Sequence, residues 1–135
     1  MLLEHLADPF EVVRKIARIV KPGGEFLFST ITRDSLDARI YGVFWAGYDF
    51  PRHLVYLRNR DIREMLRENF SDITFYHQRT PIDFIRSSQW RIKEGKGGLF
   101  DRMIVAMGEG KLKLPAALLA FLKMTSRISV KCRKK

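Results

Sequence analysis

Apolar positions first recur at helical spacing between Asp8 and Lys21. Phe10, Val13, Ile16 and Val20, with Val12 and Ile19 beside them, share one face, and Arg14, Lys15 and Arg18 take the other. Asp8 is the expected N-cap and Pro9 the first helical residue, where its missing N–H costs nothing. Pro22 and the pair Gly23-Gly24 cannot continue a helix, so the predicted element stops near Lys21. Glu25 to Ile31 is short and apolar without strict alternation, the pattern of a strand covered on both faces as in a parallel sheet between helices. Helix, glycine turn and buried strand make half of a right-handed crossover unit, so the pattern predicts an α/β fold.

Farther on, Ser35 to Gly47 is rich in aromatics and reads as a short helix running into a loop at Gly47-Tyr48-Asp49, and Pro51 holds Phe50 extended. A second amphipathic helix is predicted from about Arg60 to Asn69, with Asn59 as its cap and Ile62, Met65, Leu66 and Phe70 inward. Ser71 to His77 reads as a strand, Ile82 to Trp90 as a helix, Lys93 to Gly98 as a glycine- and lysine-rich loop and Leu99 to Met107 as a further helix. Pro115 to Met124 reads as an apolar helix that packs Leu118, Leu119, Phe121 and Leu122 into the core. Ile128 to Cys132 alternates like a terminal strand.

Length and charge narrow this picture. A chain of 135 residues supports one domain with a sizeable core. The net charge of +10 is not spread along it: Lys111 to Lys135 holds eight basic residues and no acid, while the other 17 are offset by 15 acids. The basicity therefore belongs to one terminal segment and says nothing about the body of the protein. The single cysteine, Cys132, can form no internal disulfide and reads as a small hydrophobe in a strand. Glu4, His5 and Asp8 stand where a signal peptide needs basic and then apolar residues, and no apolar run nears the ~20 residues that span a bilayer. A cytoplasmic location is the expectation.

Leu3-Glu4-His5-Leu6-Ala7-Asp8-Pro9, followed one helix later by Val20-Lys21-Pro22-Gly23-Gly24-Glu25-Phe26-Leu27-Phe28-Ser29-Thr30, resembles the segment after the fourth strand and the Lys-Pro-Gly-Gly turn of class I S-adenosylmethionine (SAM)-dependent methyltransferases. The likeness is greatest to the small-molecule group that includes the ubiquinone-pathway O-methyltransferases. Trp45 to Tyr56, with Pro51-Arg52-His53-Leu54 at its centre, resembles a loop of bacterial members of that group, and the match covers roughly Leu3 to Phe70. The resemblance implies a Rossmann-like α/β methyltransferase sheet truncated to its later strands. Residues 1–135 would be a single partial domain, with 1–110 as the body and 111–135 as a basic C-terminal helix and strand.

Enzymes of that family hold SAM through a glycine-rich turn after the first strand and an acid ending the second, both upstream of the match. Neither is present here. Gly95-Lys96-Gly97-Gly98 follows no strand of that type and reads as a flexible loop rather than a cofactor cradle. The expectation is thus a C-terminal half of a methyltransferase whose family uses SAM, which binds no SAM alone and is inactive alone. By the same resemblance Glu4 lies at the cofactor-facing mouth of the active site and His5 is a possible base. The alternative is that Glu4 serves the following helix and His5 packs locally. No metal site is expected, because the family's further acid, three residues before the glutamate, is replaced by Met1. Arg52, His53 and Tyr48 are the candidate substrate-binding residues for a small-molecule acceptor, the alternative for Arg52 being a pair with Asp49.

A second class of function is a non-catalytic basic module that binds an anionic membrane surface or a partner protein. Nucleic acid is not expected, because the basic segment has one aromatic, Phe121, and no binding motif. Peripheral membrane contact through the basic C-terminus fits better, and the Glu25 to Ile31 strand, left as an exposed edge, is a route to self-association.

Overall fold

The computed structural model describes residues 1–135 and shows an α/β chain that divides into two compact units. The first comprises Met1–Arg33, Phe50–Tyr76 and Arg127–Lys135, and the second Asp34–Asp49 and His77–Ser126.

In the first unit, α1 spans Pro9–Ile19 and starts as its sequence dictates: the Asp8 carboxylate accepts from the Glu11 N–H at 2.9 Å, and Pro9 follows at the first helical position. Its inward residues are Val13 and Ala17, with Ile16 and Val12 half-buried. Phe10 and Ile19, expected on the inner face, are exposed; they lie at the two ends of the helix, whereas its middle packs. The turn Lys21-Pro22-Gly23-Gly24 needs both glycines. Gly23 sits at a φ of 75°, and a Cβ on Gly24 would stand 2.8 Å from the Lys21 carbonyl oxygen.

Strand β1 is Glu25–Ile31, β2 is Phe70–His77 and β3 is Arg127–Lys134; they form one sheet in the order β1-β3-β2. β1 and β3 are antiparallel, with Phe28 opposite Val130, and Gly23 and Gly24 exchange two further backbone hydrogen bonds with Lys134. The start of β2 lies beside the end of β3, where the Ser71 hydroxyl reaches the Arg133 carbonyl. The parallel, doubly covered setting expected for β1 is therefore corrected. It is the edge strand of an antiparallel sheet, and Leu27 on it is 66% exposed. Unbroken apolarity misled here because Phe26, Phe28 and Ile31 turn to packed surroundings while Leu27 does not.

Helix α3 spans Asn59–Arg67 and buries Ile62, Met65 and Leu66, as its spacing predicts. Asn59 is the first helical residue rather than the cap; the cap position is Arg58, whose N–H donates to the Asp61 carboxylate at 2.9 Å. The core of this unit joins Leu3, Val13, Ala17, Phe28, Ile62, Met65, Leu66 and Phe70 to Ile128, Val130 and Cys132. Burial pushes the Cys132 thiol up to about 11, so it is the inert hydrophobe expected of it.

In the second unit, α2 (Leu36–Tyr41) is capped by Ser35, α4 covers Ile82–Lys93, and α5 covers Leu99–Phe121. α5 joins the two helices read separately from the sequence, across a kink at Gly108. Its far half buries Leu112, Ala116 and Ala120. Leu118, Phe121 and Leu122, expected in the core, are exposed instead, because small alanines supply the close-packing face and the large side chains fall on the opposite side.

The C-terminal segment thus holds the first unit through its strand, while its helix packs in the second unit on the Leu112, Ala116 and Ala120 side alone. A chain ending at Gly110 loses β3, the middle strand, together with Ile128, Val130 and Cys132. It should show no cooperative unfolding transition by circular dichroism, whereas polar substitutions at Leu118 and Phe121 should leave the unfolding free energy within about 0.5 kcal/mol of the parent.

Candidate functional site

Leu3–His5 forms a single 3-10 turn that brings two polar side chains to the end of β1. Glu4 is 1% exposed, and its Oε2 accepts from the Thr30 hydroxyl at 2.8 Å and from the Leu2 N–H at 3.1 Å. Its backbone carbonyl accepts from Leu54 at 2.7 Å and from Val55 at 3.4 Å, which ties the loop after Pro51 to the turn. Glu4 therefore does not serve the following helix; it is an interior carboxylate clamped to the sheet.

His5 is fixed from the same loop. Its Nδ1 donates to the Arg52 carbonyl at 3.0 Å, so a neutral ring carries its lone pair on Nε2. That Nε2 stands 3.6 Å from Glu4 Oε1, a buried oxygen that accepts no hydrogen bond. Two acceptors facing one another are balanced only when something positive lies at the gap: a proton on Nε2, the hydrogen of a bound hydroxyl, or a cation. His53, buried, stands edge-on to the His5 ring at 4.8 Å between centroids, and its carbonyl accepts from the Tyr56 hydroxyl at 3.0 Å.

Of the residues picked out from sequence, Glu4, His5 and His53 thus meet. Arg52 contributes its backbone carbonyl to His5, and its side chain is at the surface. Tyr48 belongs to the second unit, where its ring stands edge-on to Trp45 at 5.3 Å. Sequence reasoning missed Thr30, the buried partner of Glu4. The available signal was a hydroxyl in an otherwise apolar strand.

Glu4, His5 and His53 each offer one ligand atom, all within 4.8 Å of one another. Two nitrogens on opposite sides of a zinc ion are only about 4.2 Å apart, so the trio would have to draw inward to hold one. A proton on Nε2 needs no such movement. The loop Gly95-Lys96-Gly97-Gly98 does not offer a cradle for a nucleoside cofactor. A Cβ on Gly97 would stand 2.5 Å from the Ile92 side chain, so that glycine serves the packing on α4, and the Gly98 N–H already donates to Asp101 at 2.8 Å.

The second unit holds its own polar cluster. The Trp45 indole donates to Asp37 at 2.9 Å, Ser126 to Asp83 at 2.9 Å, and the Tyr41 and Ser88 hydroxyls lie 2.6 Å apart. Burial raises the Asp37 carboxyl above its ordinary range, with hydrogen bonds from Ser126, Ser35 and Trp45 pulling the other way and nearby Asp83 adding to the rise. His77, which has a pKa lowered chiefly by burial, donates Nδ1–H to the Thr125 carbonyl at 3.0 Å. A cavity of about 160 Å³ in this unit is lined by Pro81, Phe84, Ile104, Leu112, Pro115, Ala116 and Leu119, and takes only apolar matter.

With this geometry in view, residues 1–70 match a family described as a methyltransferase domain. The chain is 36% identical over 66 residues to the ubiquinone biosynthesis O-methyltransferase of Erwinia tasmaniensis, a match covering 49% of the chain and 26% of that protein. It is 58% identical over 33 residues to the enzyme of the same name from Sodalis glossinidius, covering 24% of the chain and 13% of that protein. The chain spans about a quarter of the length of the curated relatives that it matches over 66 residues. Among solved structures, it is similar to phosphoethanolamine N-methyltransferase 2 of Haemonchus contortus, in complex with phosphomonomethylethanolamine and S-adenosylhomocysteine. There the TM-score is 0.48 at 17% identity, over 98% of this chain and 32% of that one.

Two substitutions test the electrostatics. Thr30→Val keeps the shape but takes a donor from a buried carboxylate, and should lower stability by about 1–3 kcal/mol in urea unfolding. For Asp37, the folded chain keeps a proton that the unfolded chain gives up above about pH 3.9. Its stabilising contribution is complete below that value and is lost as pH rises through the raised folded value. Asp37→Asn removes this titration, so its denaturant midpoint should decline less than the parent's between strongly acidic and neutral pH.

Proposed function

The chain belongs to the methyltransferase-domain family, which matches more than half of it, and with it to the class I SAM-dependent methyltransferases; from that premise we propose that residues 1–135 form the acceptor side of an enzyme that methylates a small molecule. The observation that carries this reading is the gap between His5 Nε2 and the vacant Glu4 Oε1. A hydroxyl group seated against the exposed His5 ring can give its proton to Nε2: the O–H bond breaks, the N–H bond forms and the oxygen keeps the electron pair, while SAM held by other residues would supply the methyl group and its sulfur would keep the electrons of the broken carbon–sulfur bond. The imidazolium so formed is paired with Glu4 and held by the Arg52 carbonyl. In this reading His5 is the base, Glu4 its orienting acid, His53 the neighbour that fixes the ring, and Arg52 recognises the acceptor.

The residues present do not fit SAM itself, because no glycine-rich turn links a strand of this chain to a helix N-terminus and the one glycine-rich loop is spent on packing. The reading therefore treats residues 1–135 as a single partial domain, working in the cytoplasm with the cofactor site formed by other residues. Self-association through the β1 edge around Leu27 accompanies it, although the turn at Glu4 already covers the Thr30 end of that strand. A second reading, a non-catalytic basic module on an anionic surface or partner, is favoured by one observation, the outer face of α5.

Two measurements test the first reading. Calorimetry of the 135-residue chain should show no saturable SAM binding at sub-millimolar concentrations, and a saturable isotherm would mean that these residues hold a cofactor site of their own. Joined behind the cofactor-binding half of the Erwinia tasmaniensis relative, the chain should transfer methyl groups to a phenolic acceptor, and His5→Gln should slow the transfer on the order of a hundredfold. An unchanged rate would remove His5 from the chemistry.

A further inference from the structure

The far half of α5 is built inside out. Its packed side is small, with Ala116 and Ala120 beside Leu112, while Leu114 is 83%, Leu118 58%, Phe121 83% and Leu122 52% exposed. The spacing of these four, at steps of three and four residues, places them on one ridge along the helix. Lys111 precedes Leu118 by two turns and so shares the ridge at its near end, Lys113 flanks it, and Lys123 lies just past its far end. No acidic residue occurs from Lys111 onward.

We propose that this ridge is a docking surface for an anionic lipid bilayer, with Leu114, Leu118, Phe121 and Leu122 entering the interface and Lys111, Lys113 and Lys123 meeting the headgroups. Charge selects the occupant. A second copy of the same face would bring lysines against lysines in either relative direction, with no acid to offset them, whereas anionic headgroups answer all three. Shape points the same way: the apolar atoms stand out as a convex ridge, which a fluid interface can accept without a matching groove. No helix of the chain is long and apolar enough to cross a membrane, so the surface lies on the bilayer and not through it.

The test uses the full chain with vesicles of phosphatidylcholine alone and of phosphatidylcholine mixed with phosphatidylglycerol, read by co-sedimentation. Binding should require the anionic lipid and weaken as salt is added. The double variant Leu118→Ser, Phe121→Ser should bind at least about tenfold more weakly while keeping the parent's unfolding midpoint. Because a polar double variant can disturb the helix, a second variant, Lys111→Gln with Lys113→Gln and Lys123→Gln, leaves the apolar ridge intact and should erase the preference for phosphatidylglycerol. Three results overturn the proposal: no binding to anionic vesicles; equal binding by parent and both variants, which places attachment on other basic residues; or loss of a dimer in the double variant without any vesicle binding by the parent, which assigns the ridge to a second copy.

Discussion

The structure of the first unit depends on the position of one strand. β3, formed by Arg127–Lys134, lies between β1 and β2, so the two strands that come earlier in the chain are joined into one sheet only by hydrogen bonds to it. Its inward residues Ile128, Val130 and Cys132 sit in the same core as Val13, Leu66 and Phe70. Everything at the candidate site is referred to this arrangement. Thr30 is held in place by its β3 partner Ile128, Thr30 holds Glu4, and the Glu4 backbone holds the loop that aims His5.

That chain of dependence explains why the site is polar in an apolar setting without being loose. A buried carboxylate is costly unless donors surround it, and two are supplied here from fixed backbone and from a strand hydroxyl. Only one oxygen is served. The other, Oε1, faces an imidazole whose opposite nitrogen is already committed to a carbonyl, so the free lone pair of that ring points at the carboxylate. Family membership says what class of chemistry such a place belongs to, and the geometry says which atoms of this chain are positioned to take part.

Much of this was legible in the sequence where a residue's role is local. Asp8-Pro9 announces a helix start because both act within one turn, and Lys21-Pro22-Gly23-Gly24 announces a turn because its second glycine has no room for a side chain. The pattern Ile62, Met65, Leu66 gave the buried face of α3 for the same reason. Legibility failed where the answer depends on residues far away. Glu25 to Ile31 looks like a central parallel strand until its antiparallel partner, more than ninety residues later, is known. Leu118 and Phe121 look like core until Ala116 and Ala120 prove to be the side that packs. At the site, His5 and Glu4 are readable as candidates by resemblance, which places His53 with the substrate. Its place against the His5 ring follows from the backbone bonds of Leu54 and Val55, which no periodicity announces.

The register of β1 against β3, with Glu25 opposite Arg133 and Ile31 opposite Arg127, also sets an order of events during synthesis. Helices α1 and α3 can form as they emerge from the ribosome, but β1 and β2 must wait, unpaired, until residues as late as Lys134 have cleared the exit tunnel. Throughout that interval the apolar strand Phe26-Leu27-Phe28 lacks the partner that residues 127–134 later supply, and such unpaired strand edges are the ones prone to association.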